Sequence, residues 1–225
     1  MKSDNQLSAN QSSENASNND ESLRADIYLL IAQLFRSAPS EEFLMWLTQL
    51  EVTEDQHPMA IAWNALREAA RSHSLNQVAE EYQDLFIGVG RGEVVQFGSW
   101  HITGSLMEKP LSDLRQDLDA LGFERHEDVK EPEDHISALL EVMSMLVELP
   151  KPVQQTFFNK HIGNWAGSFV EQLQQAKSVS FYAAVANLLN AYLTIEQVSF
   201  AVNPKHNKAV HKVDVKNQIF VEEKR

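Results

Sequence analysis

The chain has 225 residues, 43 % of them hydrophobic, enough to bury one sizeable core, and its formal net charge of −13 would repel a long anionic nucleic acid. It contains no cysteine, which excludes a disulfide framework, an iron–sulfur cluster held by thiolates and a cysteine zinc site. Eight glycines and seven prolines are few for this length and suit long helices better than a many-turned β protein.

Residues 1–20 are rich in Ser and Asn with almost no large apolar side chain, which predicts a disordered tail. The tail has neither paired arginines nor an apolar stretch, so it does not read as an export signal. No run of about 18 apolar residues occurs elsewhere, so no membrane insertion is expected and the cytoplasm is the default compartment.

From Glu21 the pattern turns helical. Leu23, Ile27, Leu30, Ile31 and Leu34 fall on one face up to Ser37-Ala38-Pro39. Ser40 reads as the N-cap of a short helix through Leu50 that buries Phe43, Leu44 and Leu47. A third helix opens at Pro58 and turns Ile61, Ala62, Ala65, Leu66 and Ala69 inward. A fourth carries Val78, Tyr82, Leu85 and Phe86 at helical spacing, a stripe whose plainest role is core packing.

Residues 87–104 read as the longest irregular stretch inside the domain, with Gly88, Gly90, Gly92 and Gly98. Gly88-Val89-Gly90-Arg91-Gly92 lacks the lysine-serine/threonine ending of a phosphate-binding loop, and no strand precedes it. Pro110 opens the next helix, with Leu111, Leu114, Leu118 and Leu121 as its stripe and Gly122 as its C′ residue. A charged connection from Phe123 to Lys130 then reaches Glu131-Pro132-Glu133-Asp134-His135.

That element reads as a helix start, with Pro132 at the first helical position and Glu133 and Asp134 in the first turn, where the dipole favours negative charge. Ile136, Leu139, Leu140, Met143, Leu146 and Val147 follow as the stripe of a central, mostly buried helix that Pro150 stops. Helices over Gln154–His161 and Asn164–Lys177 come next, the latter turning Trp165, Phe169, Val170 and Leu173 inward. The last spans about Val179 to Val198, where Ala183, Ala184, Ala186 and Ala191 permit close approach of a neighbour. Beyond Ala201 the chain becomes polar and basic, a loosely held tail over residues 201–225. The expected fold is all-α, a single helical domain of about eight to ten helices over residues 21–200.

Tyr82-x-x-Leu85-Phe86-x-Gly88, a loop carrying Phe97, Ser99 and Trp100, and Glu131-Pro132-x-Asp134-His135 occur in that order. Asn164-Trp165 and Ser180-Phe181-Tyr182-Ala183-Ala184-Val185-Ala186 follow. Together they resemble the TorD/DmsD family of cytoplasmic chaperones over roughly Leu23 to Gln197. The resemblance implies a redox-enzyme maturation protein. Such a protein binds the twin-arginine signal peptide of a molybdopterin-containing oxidoreductase and holds the apo-enzyme until its cofactor is loaded and export is allowed. It also implies a peptide site at Tyr82, Leu85, Phe86, Phe97, Ser99, Trp100, Asp134 and His135, with Glu131 and Pro132 as part of the motif. This chain has Val95-Gln96-Phe97-Gly98-Ser99-Trp100 where the family commonly places a proline-aromatic pair before the serine. No cofactor is nominated, and members of the family occur as monomers or as dimers that exchange helices.

Enzyme readings find little support. A metal or acid–base hydrolase built on Asp134 and His135 lacks an H-E-x-x-H, a paired E-x-x-H or a second compact ligand motif, and the other histidines are scattered. Gly98-Ser99-Trp100 is not a nucleophile elbow. The peptide-binding reading puts Asp134 opposite an arginine and the aromatic residues against an apolar segment. The alternative is a generic helical protein-binding scaffold that does not recognise signal peptides.

Overall fold

A computed structural model describes residues 21–53, 55–88 and 92–201; the expected tails at 1–20 and beyond Ala201 lie outside the described residues. In chain order the helices are α1 (21–36), α2 (Glu41–Thr48), α3 (Pro58–Ser72), α4 (Leu75–Tyr82), α5 (Gly98–Thr103), α6 (Lys109–Ala120), α7 (Ile136–Leu146), α8 (Lys151–His161), α9 (Ala166–Gln174) and α10 (Phe181–Ser199). Helix α4 continues into a π-helical turn, Gln83–Ile87. The fold is all-α, and among the described residues the β geometry is one isolated bridge, Phe97 to His135. No helix described is long and apolar enough to cross a membrane.

Helix α10 packs against α3, α4 and α9. Its alanines allow this: Ala184 and Ala186 are buried, as are Val185, Leu188 and Leu189 around them. Helix α7 is a core helix, with Ile136, Leu139, Leu140, Met143 and Leu146 at 0–1 % exposure, as its stripe predicts. Two expected inward residues face out instead, Leu23 at 58 % and Ile61 at 51 % exposure. The buried face of α1 is rotated toward Tyr28, Ile31, Leu34 and Phe35, because the two aromatic rings outweigh Leu23 in the area they remove from water.

Buried polar groups fix how the helices meet. Glu81 is 6 % exposed and its carboxylate accepts the N–H groups of Ser180, Phe181 and Tyr182 at 2.7–2.8 Å, capping α10 from α4. The C-terminal carbonyls of α1 are taken by three side chains: Tyr182 donates to Leu34, Tyr82 to Phe35 and Arg36, and Gln96 to Phe35. Such groups would otherwise be orphaned at a helix end. Glu196, 1 % exposed, accepts from Arg24 at 2.7 Å and Tyr28 at 2.6 Å, and Arg24 also reaches Gln154, so α1, α8 and α10 share one network.

Helix ends follow the sequence grammar in most places. Ser40 caps α2 through the Phe43 N–H, and Ser74 with Gln77 forms a capping box on α4. Gly122 has φ +79°, with its N–H bonded to Asp119 and that of Phe123 to Leu118, the double closure of a Schellman motif after α6. Gln154 donates to the carbonyls of Val147 and Leu149, which lets α8 follow α7 after a short turn.

Candidate functional site

The site begins where α4 loosens. Tyr82, Leu85 and Phe86 are 0–9 % exposed and lie in an aromatic cluster with Phe35 and Tyr182, where the Phe86–Tyr182 and Tyr82–Phe86 centroids are each 5.1 Å apart. The π-turn over Gln83–Ile87 frees carbonyls that the returning chain uses. The N–H of Glu93 bonds to Asp84 and that of Val94 to Leu85 at 2.8 Å. Only a glycine fits at 92, where a Cβ would stand 2.5 Å from the Leu85 carbonyl oxygen.

The returning chain then meets the Glu131–His135 element edge to edge. Gly98 N–H donates to the Asp134 carbonyl at 2.9 Å and Ile136 N–H to the Gln96 carbonyl at 2.8 Å, closing the Phe97–His135 bridge, with the two rings edge-on at 5.1 Å. Two expectations are corrected by this arrangement. The 87–104 stretch is not irregular throughout, because α5 begins at Gly98. Helix α7 does not start at Pro132 but at Ile136, after a turn closed by His135 N–H on the Pro132 carbonyl. The acidic residues expected to charge its first turn are used elsewhere. Glu133 pairs with Arg115 at 2.9 Å, and Asp134 Oδ2 accepts the Ser99 N–H of α5 at 2.7 Å. His135 is the N-cap of α7, its Nδ1 accepting from Ser137.

A cavity of 240 Å³ opens beside this junction, between α5, α6 and the α8–α9 turn, with Ser99, Asp113, Asp134, Lys160, His161 and Trp165 in its wall. Its charges are unequally matched. Lys160 pairs with Asp117 and Asp113 with Lys109, whereas Asp134 forms no ion pair among the described residues. Asp134 is 4 % and Ser99 0 % exposed, and neither Asp134 Oδ1 nor Ser99 Oγ has a hydrogen-bond partner among the described residues. A buried acceptor left in this way is costly unless something donates to it.

All eight expected peptide residues except Trp100 and Phe97 are therefore buried, and those two are half-buried. The Glu131 side of the motif is exposed and Pro132 half-buried. The geometry brings Phe97, Ser99, Asp134 and His135 together, while Tyr82, Leu85 and Phe86 support the loop from beneath. Sequence reasoning missed His101 and His161. His101 bonds to the Val95 carbonyl at 2.7 Å and stacks on Trp165 at 5.2 Å. His161 contacts Asp117 at 2.6 Å, and its carbonyl accepts the Trp165 indole N–H. No motif marks either one, since Trp165 beside His101 and Asp117 beside His161 lie far along the chain from them.

Burial, reinforced by the nearby Arg36 charge, pulls the His135 imidazole down from its ordinary 6.5 to about 4. The unfolded chain takes up this proton as the pH falls below the ordinary value, whereas the folded chain resists until about 4, so stability is lost on acidification. His135→Asn keeps an oxygen to cap α7 but carries no proton. Urea unfolding at neutral pH and near pH ~4 should show wild type losing up to about 3 kcal/mol more than this variant. Equal acid losses in both would contradict a buried neutral imidazole.

Among the described residues no group of three or more His, Asp or Glu could hold a metal ion. The family model described as nitrate reductase delta subunit matches residues 53–171. The chaperone protein TorD of Vibrio atlanticus is 26 % identical over 200 residues, covering 77 % of this chain and 92 % of that protein. The TorD chaperone of Vibrio cholerae is 24 % identical over 196 residues, covering 76 % and 88 %. A crystal structure described as a redox enzyme maturation protein from Archaeoglobus fulgidus superposes with a TM-score of 0.51 at 21 % identity, covering 78 % of this chain and 94 % of that one.

Proposed function

This chain belongs to the nitrate reductase delta subunit family, and from that premise we propose that it binds the twin-arginine signal peptide of a molybdopterin-containing oxidoreductase. It holds the apo-enzyme in the cytoplasm until the molybdenum cofactor is in place. Its relatives are named as chaperones rather than catalysts, and its own class is a maturation chaperone, not an enzyme.

The observation that carries the peptide reading is Asp134. One carboxylate oxygen is committed to the Ser99 N–H, which fixes the side chain; the other is buried without a hydrogen-bond partner among the described residues, on a residue that lines the cavity. A guanidinium supplies what is missing: two N–H donors in a plane and a positive charge beside an unmatched carboxylate. Such a charge-assisted contact is worth about 1.5–3 kcal/mol, so it discriminates by roughly tenfold to a hundredfold. The eight nominated residues divide by exposure. Phe97 and Trp100 offer half-exposed aromatic surface, while Tyr82, Leu85, Phe86, Ser99 and His135 hold the receiving loop in place. The net charge of −13 steers a basic peptide toward the protein.

Calorimetric titration of the whole chain tests this, using signal peptides of molybdopterin oxidoreductases, each beside a version whose two arginines are alanine. Saturable binding lost on arginine replacement is expected. A folded protein that binds no signal peptide, or binds both versions alike, would leave the scaffold reading in its place.

A further inference from the structure

We propose that residues 202–225, which follow the last described residue, lie back over the apolar groove between α3 and α10 of the same chain; this stands apart from the signal-peptide reading. The groove has a volume of 670 Å³, with Ile61 and Ala65 of α3 facing Ala191, Thr194, Ile195 and Val198 of α10, and no Asp, Glu, Lys or Arg in its wall. Ile61, Ile195 and Val198 are 51 %, 41 % and 74 % exposed. Large apolar side chains gathered along one groove are uncommon on a face that nothing covers.

Chain path, charge and composition identify the occupant. Helices α3 and α10 run antiparallel, since His73 at the end of α3 bonds to Ser180 at the start of α10 at 2.8 Å, so His57 lies at the end of the groove where α10 finishes. Val198 lines the groove at that end, and Ala201 is the last described residue, so residues 202–225 begin at its mouth. Their extended reach of about 80 Å far exceeds the roughly 16 Å of helix from Asn187 to Val198. His57 also borders a neighbouring depression that carries Glu51 and Asp55. Neither acid is in an ion pair among the described residues, and Arg67 and Arg71 pair with Glu68 instead. The sequence supplies matching groups in the matching order. Lys205, Lys208 and Lys212 come first, with no acidic residue among them, and Val213, Val215, Ile219, Phe220 and Val221 follow. Residues 1–20 do not fit, because Met1 and Leu7 are their large apolar side chains and Asp4, Glu14 and Asp20 outnumber Lys2.

The chain contains no cysteine, so a thiol at exposed Thr194 reports on whatever covers the groove. The alkylation rate of Thr194→Cys is measured in the whole chain with residues 202–225 unchanged, and again with Ile219→Ser/Phe220→Ser/Val221→Ser, which alters none of the described helices. Asp119→Cys, exposed on α6 and outside the groove, is the control. The thiol at 194 should react at least about fivefold faster in the serine variant, and the thiol at 119 at one rate in both. Val213→Ser/Val215→Ser should give part of the acceleration. Equal rates at 194 with and without the serine substitutions overturn the proposal. Protection that is lost on dilution puts the segment of a second copy in the groove, and overturns it too. Neither result bears on signal-peptide binding.

Discussion

Replacing Glu81 with alanine should lower the unfolding free energy by about 3 kcal/mol and the melting temperature by roughly 6–12 °C. One carboxylate serves three backbone N–H groups at the start of α10, and it does so at 6 % exposure. Removing it leaves those donors without their acceptor in a place that water reaches poorly, and it removes a negative charge from the positive end of the 19-residue helix α10. Glu81→Gln keeps one oxygen acceptor and should lose less than half as much. Equal losses for alanine and glutamine would show that the bidentate cap is not what holds α10 to α4. The consequence reaches the candidate site, because Tyr82 is the next residue and the π-turn beyond it holds Glu93 and Val94 of the returning chain.

Gly92→Ala should cost about 2–4 kcal/mol, since overpacking against backbone has no cheap relief. The added Cβ would stand 2.5 Å from the Leu85 carbonyl oxygen and 2.6 Å from the Phe86 carbonyl carbon. Either the π-turn or the returning loop must move, so the Val94 N–H bond to Leu85 weakens and peptide affinity falls with stability. Gly167→Ala is the control: it lies in α9 with nothing within 4 Å of the new methyl, and it should be neutral or stabilise by about 0.5–1 kcal/mol. A Gly92→Ala protein as stable as wild type would contradict the close packing of loop on helix.

Much of the fold could be read from spacing alone. The stripes of α2, α6, α7 and α9, the cap at Ser40 and the C′ glycine at 122 all depend on neighbours within one or two turns, and local grammar describes such neighbours well. What local grammar misread was the start of α7. Asp134 has the chemistry of a first-turn residue, but its oxygen goes to Ser99, 35 positions away, and a different helix is capped. The same limit hid Glu81, whose partners lie about a hundred positions downstream, and the pairing of His161 with Asp117. The candidate site was legible as a set of residues through the family resemblance. Which of them are exposed was not, because the burial of Phe86 is decided by Tyr182 and Phe35 packing against it.

The most direct measurement is peptide affinity and melting temperature together for Asp134→Asn. Asparagine can keep its side-chain oxygen on the Ser99 N–H while turning an amide N–H₂ toward the cavity, so the cap survives and the acceptor for a cation becomes a donor. Melting within about 3 °C of wild type and affinity for an arginine-bearing signal peptide reduced at least about tenfold are the results this account predicts. Unchanged affinity with unchanged melting would contradict it, because Asp134 would then be a helix cap and nothing more.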